Sequence, residues 1–379
     1  MMMNPILSIV VPTKNRYKYL YHLLRLAEDL DTRCVEVIIQ DNSTDNSEIL
    51  SYLEKYSKPW IKYYYFEKSI SMTENCDKAI LNSQGEYICF IGDDDGFCLD
   101  IIDAVSYMKS HNIDVLLSSK TFYNWPDYSD NSVFDITEAL VYRKGNGKLT
   151  KINPLKELQK CISNGFDGLY NMPKAYQALV SRSIMNKVWE RYNTFFPGPS
   201  PDMANAVALS LLNPVSYYWD GPLVYSGQSK SVGGGERLLD NNKLKRLTEV
   251  PIMPANVLDR WDMKIPAYWC ADSIWPQSAI QALNSYSTHK INYEKILARF
   301  IFYHSSYYGE CKKLSSNHFI LHFEILCLLF RKILAFISHR ITYFPTKGKM
   351  IGTLYIEKPV KDIKSASRIL ESYMTFDLK

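Results

Sequence analysis

The sequence predicts an α/β protein: an open, mostly parallel sheet flanked by helices, followed by a helical C-terminal region. Three observations carry that expectation. Short apolar runs rich in Val and Ile alternate with amphipathic stretches from Ile6 to Ser118. The loops between them are short, so consecutive strands must be joined by right-handed crossovers. From Leu238 onward the strand pattern gives way to helical periodicity.

Taking the elements in order, Ile6–Val11 is an aliphatic strand stopped by Pro12, and Thr13 to Arg16 form the loop after it. Tyr17 to Leu30 is helical, with Leu20, Leu23, Leu24 and Ala27 on one face. Val35–Ile39 is the next strand, and Ser43, Thr44 or Asp45 can cap a helix over Ser47–Tyr56. A Tyr-rich strand, Ile61–Phe66, precedes a helix from Met72 to Leu81. Gly85 is expected in the left-handed region behind that helix. Tyr87–Ile91 is a strand buried on both faces, Leu99–Ser110 a helix, and Asp114–Ser118 a strand.

The chain of 379 residues exceeds one typical domain, and 46% hydrophobic with 22% charged residues gives ample material for a core. A net charge of +4 is too mild to point to nucleic acid. The charge is uneven, however. Between Arg299 and Lys349 the basic residues Arg299, Lys312, Lys313, Arg331, Lys332, Arg340, Lys347 and Lys349 face only Glu310 and Glu324. Eight cysteines without metal-ligand spacing read as free thiols in a reducing cytosol. The N-terminus runs directly into a strand pattern, leaving no room for a targeting peptide. No uncharged apolar run approaches the roughly 20 residues needed to span a bilayer.

The chemistry concentrates at strand ends. Tyr87–Ile91 ends in Gly92 and then Asp93, Asp94 and Asp95, at the carboxyl edge where open α/β sheets bind ligands. Three adjacent anions call for a cation, and hard carboxylate oxygens favour Mg²⁺ or Mn²⁺ over Zn²⁺. Thr13–Arg16 and Asp41–Asp45 end two further strands. Each alone is a turn or helix cap, but three such ends on one parallel sheet converge on one crevice.

Ser8–Arg16 (Ser-Ile-Val-Val-Pro-Thr-Lys-Asn-Arg), Val37–Asp45 (Val-Ile-Ile-Gln-Asp-Asn-Ser-Thr-Asp) and Gly85–Asp95 together resemble the family 2 glycosyltransferases of the GT-A fold. The resemblance is strong over residues 1–120 and looser over 121–220. It implies that Pro12, Thr13, Asn15, Arg16, Asp41, Asn75, Asp93 and Asp94 line a nucleotide site, with Thr13 and Asp41 against base and ribose. It also implies that Asp95, with Asp93, holds Mn²⁺ or Mg²⁺ on the diphosphate. Two positions depart from the pattern: Gln40 stands where many relatives have Asp, and Glu74 where an Arg precedes Asn75.

Beyond the aspartates, Thr121–Trp189 reads as irregular, aromatic, acceptor-side loop. Arg182 reads equally as an ion-pair partner or a ligand, and Asp77 as helix-surface polarity or a contact. Pro197–Asp202 leads into an apolar helix over Met203–Leu212, and the pattern leaves Asp202 open as helix cap or base. The resemblance adds weight to the base, because inverting members carry that carboxylate on the segment entering such a helix. A helix N-terminus lowers a carboxylate's pKa, so a useful base there needs burial to offset it. The glycine-rich stretch before Leu238, with Lys230 and Arg237, reads as a flap over a diphosphate or as a plain linker. Later helices are expected over Asn242–Leu247, Ile274–Leu283, Tyr293–Tyr303, Phe319–His339 and Val360–Met374. Phe319–Ile341 has a wide apolar face with basic flanks, which suits either a packed core helix or a helix lying on anionic lipid.

The expectation is a catalytic domain over 1–237 and a helical region over 238–379. The enzyme moves a sugar from a nucleotide-diphosphate donor, a UDP-sugar, to a hydroxyl of a glycan or lipid-linked oligosaccharide, with inversion. That chemistry belongs to bacterial surface-polysaccharide assembly, in the cytoplasm or on the cytoplasmic face of the inner membrane. Two other readings stay open: a sugar nucleotidyltransferase, which Pro12–Tyr17 disfavours for want of glycine, and a non-catalytic glycan- or lipid-binding protein.

Overall fold

In the computed structural model β1 (Leu7–Thr13), α1 (Tyr17–Ala27), β2 (Val35–Asp41), α2 (Ser47–Tyr56), β3 (Ile61–Tyr65), α3 (Met72–Leu81) and β4 (Tyr87–Phe90) alternate as expected. The four strands pair in parallel in the order β3-β2-β1-β4. The structure describes residues 5–378 except 32, 57, 129–135, 231–238, 241–242, 255, 284–288, 347–349 and 352–353. The stripe Leu20, Leu23, Leu24 and Ala27 buries α1 against the sheet. Ser71 and Glu74 form a reciprocal capping box that starts α3. Gly85 differs from expectation. It is not among the positive-φ glycines. Instead, a Cβ there would stand 2.5 Å from the Ser8 nitrogen, so the glycine serves close approach to β1.

The middle of the chain is more regular than its sequence suggests. β5 (Gly96–Phe97), α4 (Ile101–Ser110), β6 (Val115–Ser118), β7 (Thr121–Asn124), β8 (Ala139–Arg143) and β9 (Leu149–Ile152) are followed by α5 (Pro154–Ser163), β10 (Leu179–Ser181), α6 (Arg182–Tyr192), α7 (Pro201–Leu212), β11 (Ser216–Trp219) and β12 (Val224–Gln228). Strands of three to five residues are too short to show a period, which is why 121–189 reads as loop. β10 enters antiparallel between β4 and β6, completing an eight-stranded sheet ordered β3-β2-β1-β4-β10-β6-β11-β9. A second sheet, of six strands, includes β5, β7, β8 and β12.

β13 (Leu239–Asp240), β14 (Lys243–Leu244) and a 3₁₀ turn at Leu247–Glu249 replace the helix expected over 242–247. Then come α8 (Ala271–Leu283), α9 (Tyr293–Tyr303), α10 (Tyr308–Leu314) and α11 (His318–Thr346). α11 touches the body through Leu321, Ile325 and Leu328, which pack with Leu297, Phe300 and Ile301 of α9. Much of its other described apolar surface is exposed: Phe319 is 81% exposed, Leu326 63% and Phe330 61%. Among the described residues no second layer covers Phe319, Leu326 or Phe330, so α11 is not the packed core helix that one of the two readings expected. No described helix is long and apolar enough to cross a membrane.

β15 (Met350–Ile351), β16 (Leu354–Glu357) and α12 (Ile363–Tyr373) leave the helical region and return to the first half. β16 pairs antiparallel with β8 and extends the second sheet. Val360, Ile363, Ala366, Leu370 and Phe376 sit in the same core as β1 and α1. Tyr225 and Tyr123 donate hydroxyl hydrogen bonds to the Ile363 and Val360 carbonyls. The division expected at 237/238 is thus crossed by the last segment of the chain.

Candidate active site

The carboxyl ends of β1, β2 and β4 lie side by side, and their loops meet. Thr13 Oγ1 donates to Asp93 Oδ2 at 2.6 Å. Arg16 stands between two carboxylates, with Nε 3.2 Å from Asp93 Oδ1 and Nη2 2.5 Å from Asp94 Oδ2. Ser229, after β12, accepts from Arg16 at 2.9 Å and donates to Asp94 Oδ2 at 2.6 Å. The cation that the acidic run calls for is therefore supplied in part by the chain itself. Burial works against the guanidinium charge, but Asp93 and Asp94 outweigh it and raise the Arg16 pKa.

Asp95 is completely buried. Gly92 N donates to its Oδ2 at 2.7 Å, while Gly227 N and Gln177 Nε2 donate to Oδ1 at 2.8 and 3.0 Å. Trp125 Nε1 holds the Asp94 carbonyl at 3.0 Å. Burial raises the pKa of Asp93 and of Asp95, with Asp94 adding repulsion to each. A Cβ on Gly92 would lie 3.1 Å from Asp94 Oδ1, 3.3 Å from Asp95 Oδ2 and 3.5 Å from the Tyr176 hydroxyl. Two carboxylate oxygens and a phenol thus flank a spot that only glycine leaves free. A hard divalent cation fits this donor set, because such ions use one or two carboxylates and take their remaining ligands from phosphate and water. Among the described residues the three aspartates do not converge as a closed cage.

The residues expected on the nucleotide side divide into two groups. Asn15, at φ 58°, accepts from Thr44 N at 3.0 Å and donates its own N–H to Ser43 Oγ at 2.7 Å, locking the first two loops together. Pro12 sits in β1 opposite Gln40. Asn75 reaches between β1 and β2, with Nδ2 3.5 Å from the Thr13 and Gln40 carbonyls, and its buried Oδ1 has no partner. Asp41 is enclosed. Tyr17 and Tyr63 donate to its Oδ2 at 2.6 and 2.7 Å, and Ser43 N to its Oδ1 at 2.8 Å. The carboxylate that the resemblance assigns to base and ribose is therefore engaged by the protein's own donors. Glu74, the departure beside Asn75, is engaged in the Ser71 cap.

Asp202 is linked to the aspartate loop through a segment that sequence reasoning missed. It is the second residue of α7, and Ser200, not Asp202, is the N-cap. Asn205, one turn on, accepts from Ala175 N at 2.8 Å and donates to the Phe195 carbonyl at 3.0 Å. That residue ties α7 to the segment bearing Lys174, Tyr176 and Gln177. Lys174 and Tyr176 each feel the charges of both Asp202 and Asp95. Burial pushes Asp202 up to about 6, with Lys174 pulling the other way. Asp77 anchors the approach to α7 by accepting from Thr194 Oγ1 at 2.6 Å and Phe195 N at 2.8 Å. Arg182 is structural, donating to the Gly85 carbonyl and Ser83 Oγ behind β4. Lys174, Tyr176, Gln177 and Ser229 had no sequence signal beyond polarity in a loop. Lys230 is exposed beside this site, and Arg237 lies outside the described residues.

Residues 8–164 match the family model described as glycosyl transferase family 2. Among solved structures the chain is similar to S. aureus TarS 1-349 in complex with UDP-GlcNAc, at 19% identity and a TM-score of 0.48, covering 79% of this chain and 73% of that one. It is also similar to S. aureus TarS 1-349 in complex with UDP, at 19% identity and a TM-score of 0.42, covering 58% and 60%. A third structure, S. aureus TarS, matches at 19% identity and a TM-score of 0.42, with 58% of this chain on 36% of that one. The chain thus spans 36% of the length of the TarS structure and 60% of that of TarS 1-349 in its UDP complex. No curated protein matches it.

Proposed function

We propose, from the match of residues 8–164 to the glycosyl transferase family 2 model, that the chain transfers a sugar from a UDP-linked donor to an acceptor hydroxyl with inversion. The observation that carries this reading is the joining of Thr13 and Arg16 to Asp93 and Asp94, with Lys174 placed where it feels the charges of both Asp95 and Asp202. Asn75 Oδ1, buried without a partner between two strand ends, suits an N–H donor such as the imide of uracil. The donor's diphosphate lies by Asp94 and Asp95. A divalent ion, Mg²⁺ or Mn²⁺, bound there would offset charge growing on the departing diphosphate.

Asp202 is the base. Its carboxylate takes the acceptor hydroxyl proton as the oxygen attacks the anomeric carbon, and the bond from that carbon to the diphosphate oxygen breaks on the opposite face. A pKa of about 6 leaves Asp202 ionised at neutral pH yet basic enough to hold the proton. Lys174 keeps the ionised form from being lost to burial. The chain's remaining task is to align donor and acceptor and keep water out. Purified protein is tested against a panel of nucleotide sugars by release of free nucleotide. Asp202→Asn and Asp95→Asn that retain full transfer rates would overturn the assignment.

The catalytic unit comprises 1–237 together with 354–376, and α11 forms a lipid-facing arm. Its bare apolar residues span one broad face, with Arg331 and Lys332 at the two borders and Lys312 and Lys313 on α10 nearby. That arrangement suits a helix lying in an anionic lipid surface, which would bring a lipid-linked acceptor to the site. Flotation with anionic vesicles tests it, comparing the protein with Phe323→Glu/Phe330→Glu. Equal recovery of both in the vesicle fraction, or of neither, counts against the arm.

A further inference from the structure

Away from the aspartate loop, three side chains of metal-ligating type meet where α8 begins and α9 ends. Cys270 Sγ, one Asp272 oxygen and a ring nitrogen of His304 all lie within 4.8 Å of one another, each residue half-buried and within reach of solvent. His304 Nε2 is 3.3 Å from Asp272 Oδ2. Two ligands at a tetrahedral angle on zinc bonds of about 2.0–2.1 Å stand about 3.3–3.4 Å apart. The second oxygen of Asp272 is fixed from outside the trio. Arg299 donates to it through Nε at 2.8 Å, and Arg299 is itself only 6% exposed. An outer partner of this kind orients a ligating carboxylate and leaves its other oxygen free. Cys270 accepts the first backbone bonds of α8 from Ser273 and Ile274, and His304 closes α9.

We propose that Cys270, Asp272 and His304 bind one Zn²⁺, with water in the fourth position. Sulfur, nitrogen and oxygen together select a borderline-soft ion and not the hard Mg²⁺ or Mn²⁺ suited to Asp94 and Asp95. On binding, the Cys270 proton passes to solvent and the thiolate joins the metal. The ion staples the start of α8 to the end of α9, the helix that carries α11. It is a structural device and does not depend on which reaction the first half performs.

Cobalt(II) reports on this site separately from the aspartates, because only a thiolate gives a sulfur-to-cobalt charge-transfer band. Full-length protein is stripped with chelator and titrated with Co²⁺, then with Zn²⁺. One equivalent of Co²⁺ should develop that band together with the intense visible absorption of a tetrahedral ion, and Zn²⁺ should abolish both. Cys270→Ser should lose the band, while His304→Gln, as a second and milder change, should weaken Zn²⁺ affinity at least about tenfold. Asp95→Asn should retain the full response, and circular dichroism identifies any variant that fails to fold. No band with the wild-type protein, a band unchanged in Cys270→Ser, or unchanged affinity in His304→Gln overturns the site. The three residues then form an ion-pair network with Arg299 only.

Discussion

At the scale of single residues, three carboxylates of the proposed site hold protons more tightly than ordinary ones, and the sign of the consequence is fixed. Asp202, Asp93 and Asp95 have folded pKa values above their unfolded values. Between the two values the native state binds more protons than the unfolded chain, so stability falls as pH rises through the folded values. We expect the metal-free protein to lose thermal stability on going from mildly acid to mildly alkaline pH. Asp95→Asn should flatten that slope, and Mg²⁺ or Mn²⁺ should flatten it for the wild type; thermal melts at several pH values measure both. Activity should move oppositely, because the proposed base Asp202 must be ionised: rates should fall as pH drops through about 6. Asp202→Asn should lower kcat by about 10²–10⁴-fold, read by nucleotide release. The acidic run and the Thr13 and Arg16 loop were legible in the sequence because they cluster at strand ends. Lys174 and Gln177 were not, since their relation to Asp95 exists only once β10 has inserted next to β4.

At the scale of elements, helices with continuous apolar stripes could be read closely: α2, α3 and α9 have the bounds their periodicity indicates. The middle strands could not, because four-residue pairings draw their stability from neighbours distant in sequence. β12 shows how such a strand acts on the site. A Cβ on Gly227 would fall 1.7 Å from the Asp94 carbonyl oxygen, so the strand and the aspartate loop touch backbone to backbone. Gly227→Ala should therefore cost about 1–3 kcal/mol from overpacking and displace the donor to Asp95. Thermal melts together with transfer assays would register both, whereas Gly168→Ala, with nothing within 4 Å, should leave the melt nearly unchanged. On α11, Phe323 and Phe330 are exposed, so charged substitutions there should leave the fold within about 0.5 kcal/mol of wild type.

At the scale of the whole molecule, the sequence conveys an α/β half and a helical half but not the return of the last segment. That return is invisible locally, since α12 looks like any amphipathic helix and its partner surface lies on α1 and β5. Removing residues 350–379 should strip Val360, Ile363, Leu370 and Phe376 from the first core, lower the melting temperature and abolish transfer even though no proposed catalytic residue is deleted. Limited proteolysis of the shortened chain should cut within the first half.

The same closure bears on the protein's birth. Synthesis proceeds from the N-terminus, and domains ordinarily settle as they emerge, yet here β1 and β2 wait for residues 354–376 before the core they share is sealed. A partly synthesised chain should stay soft and chaperone-dependent until α12 has emerged.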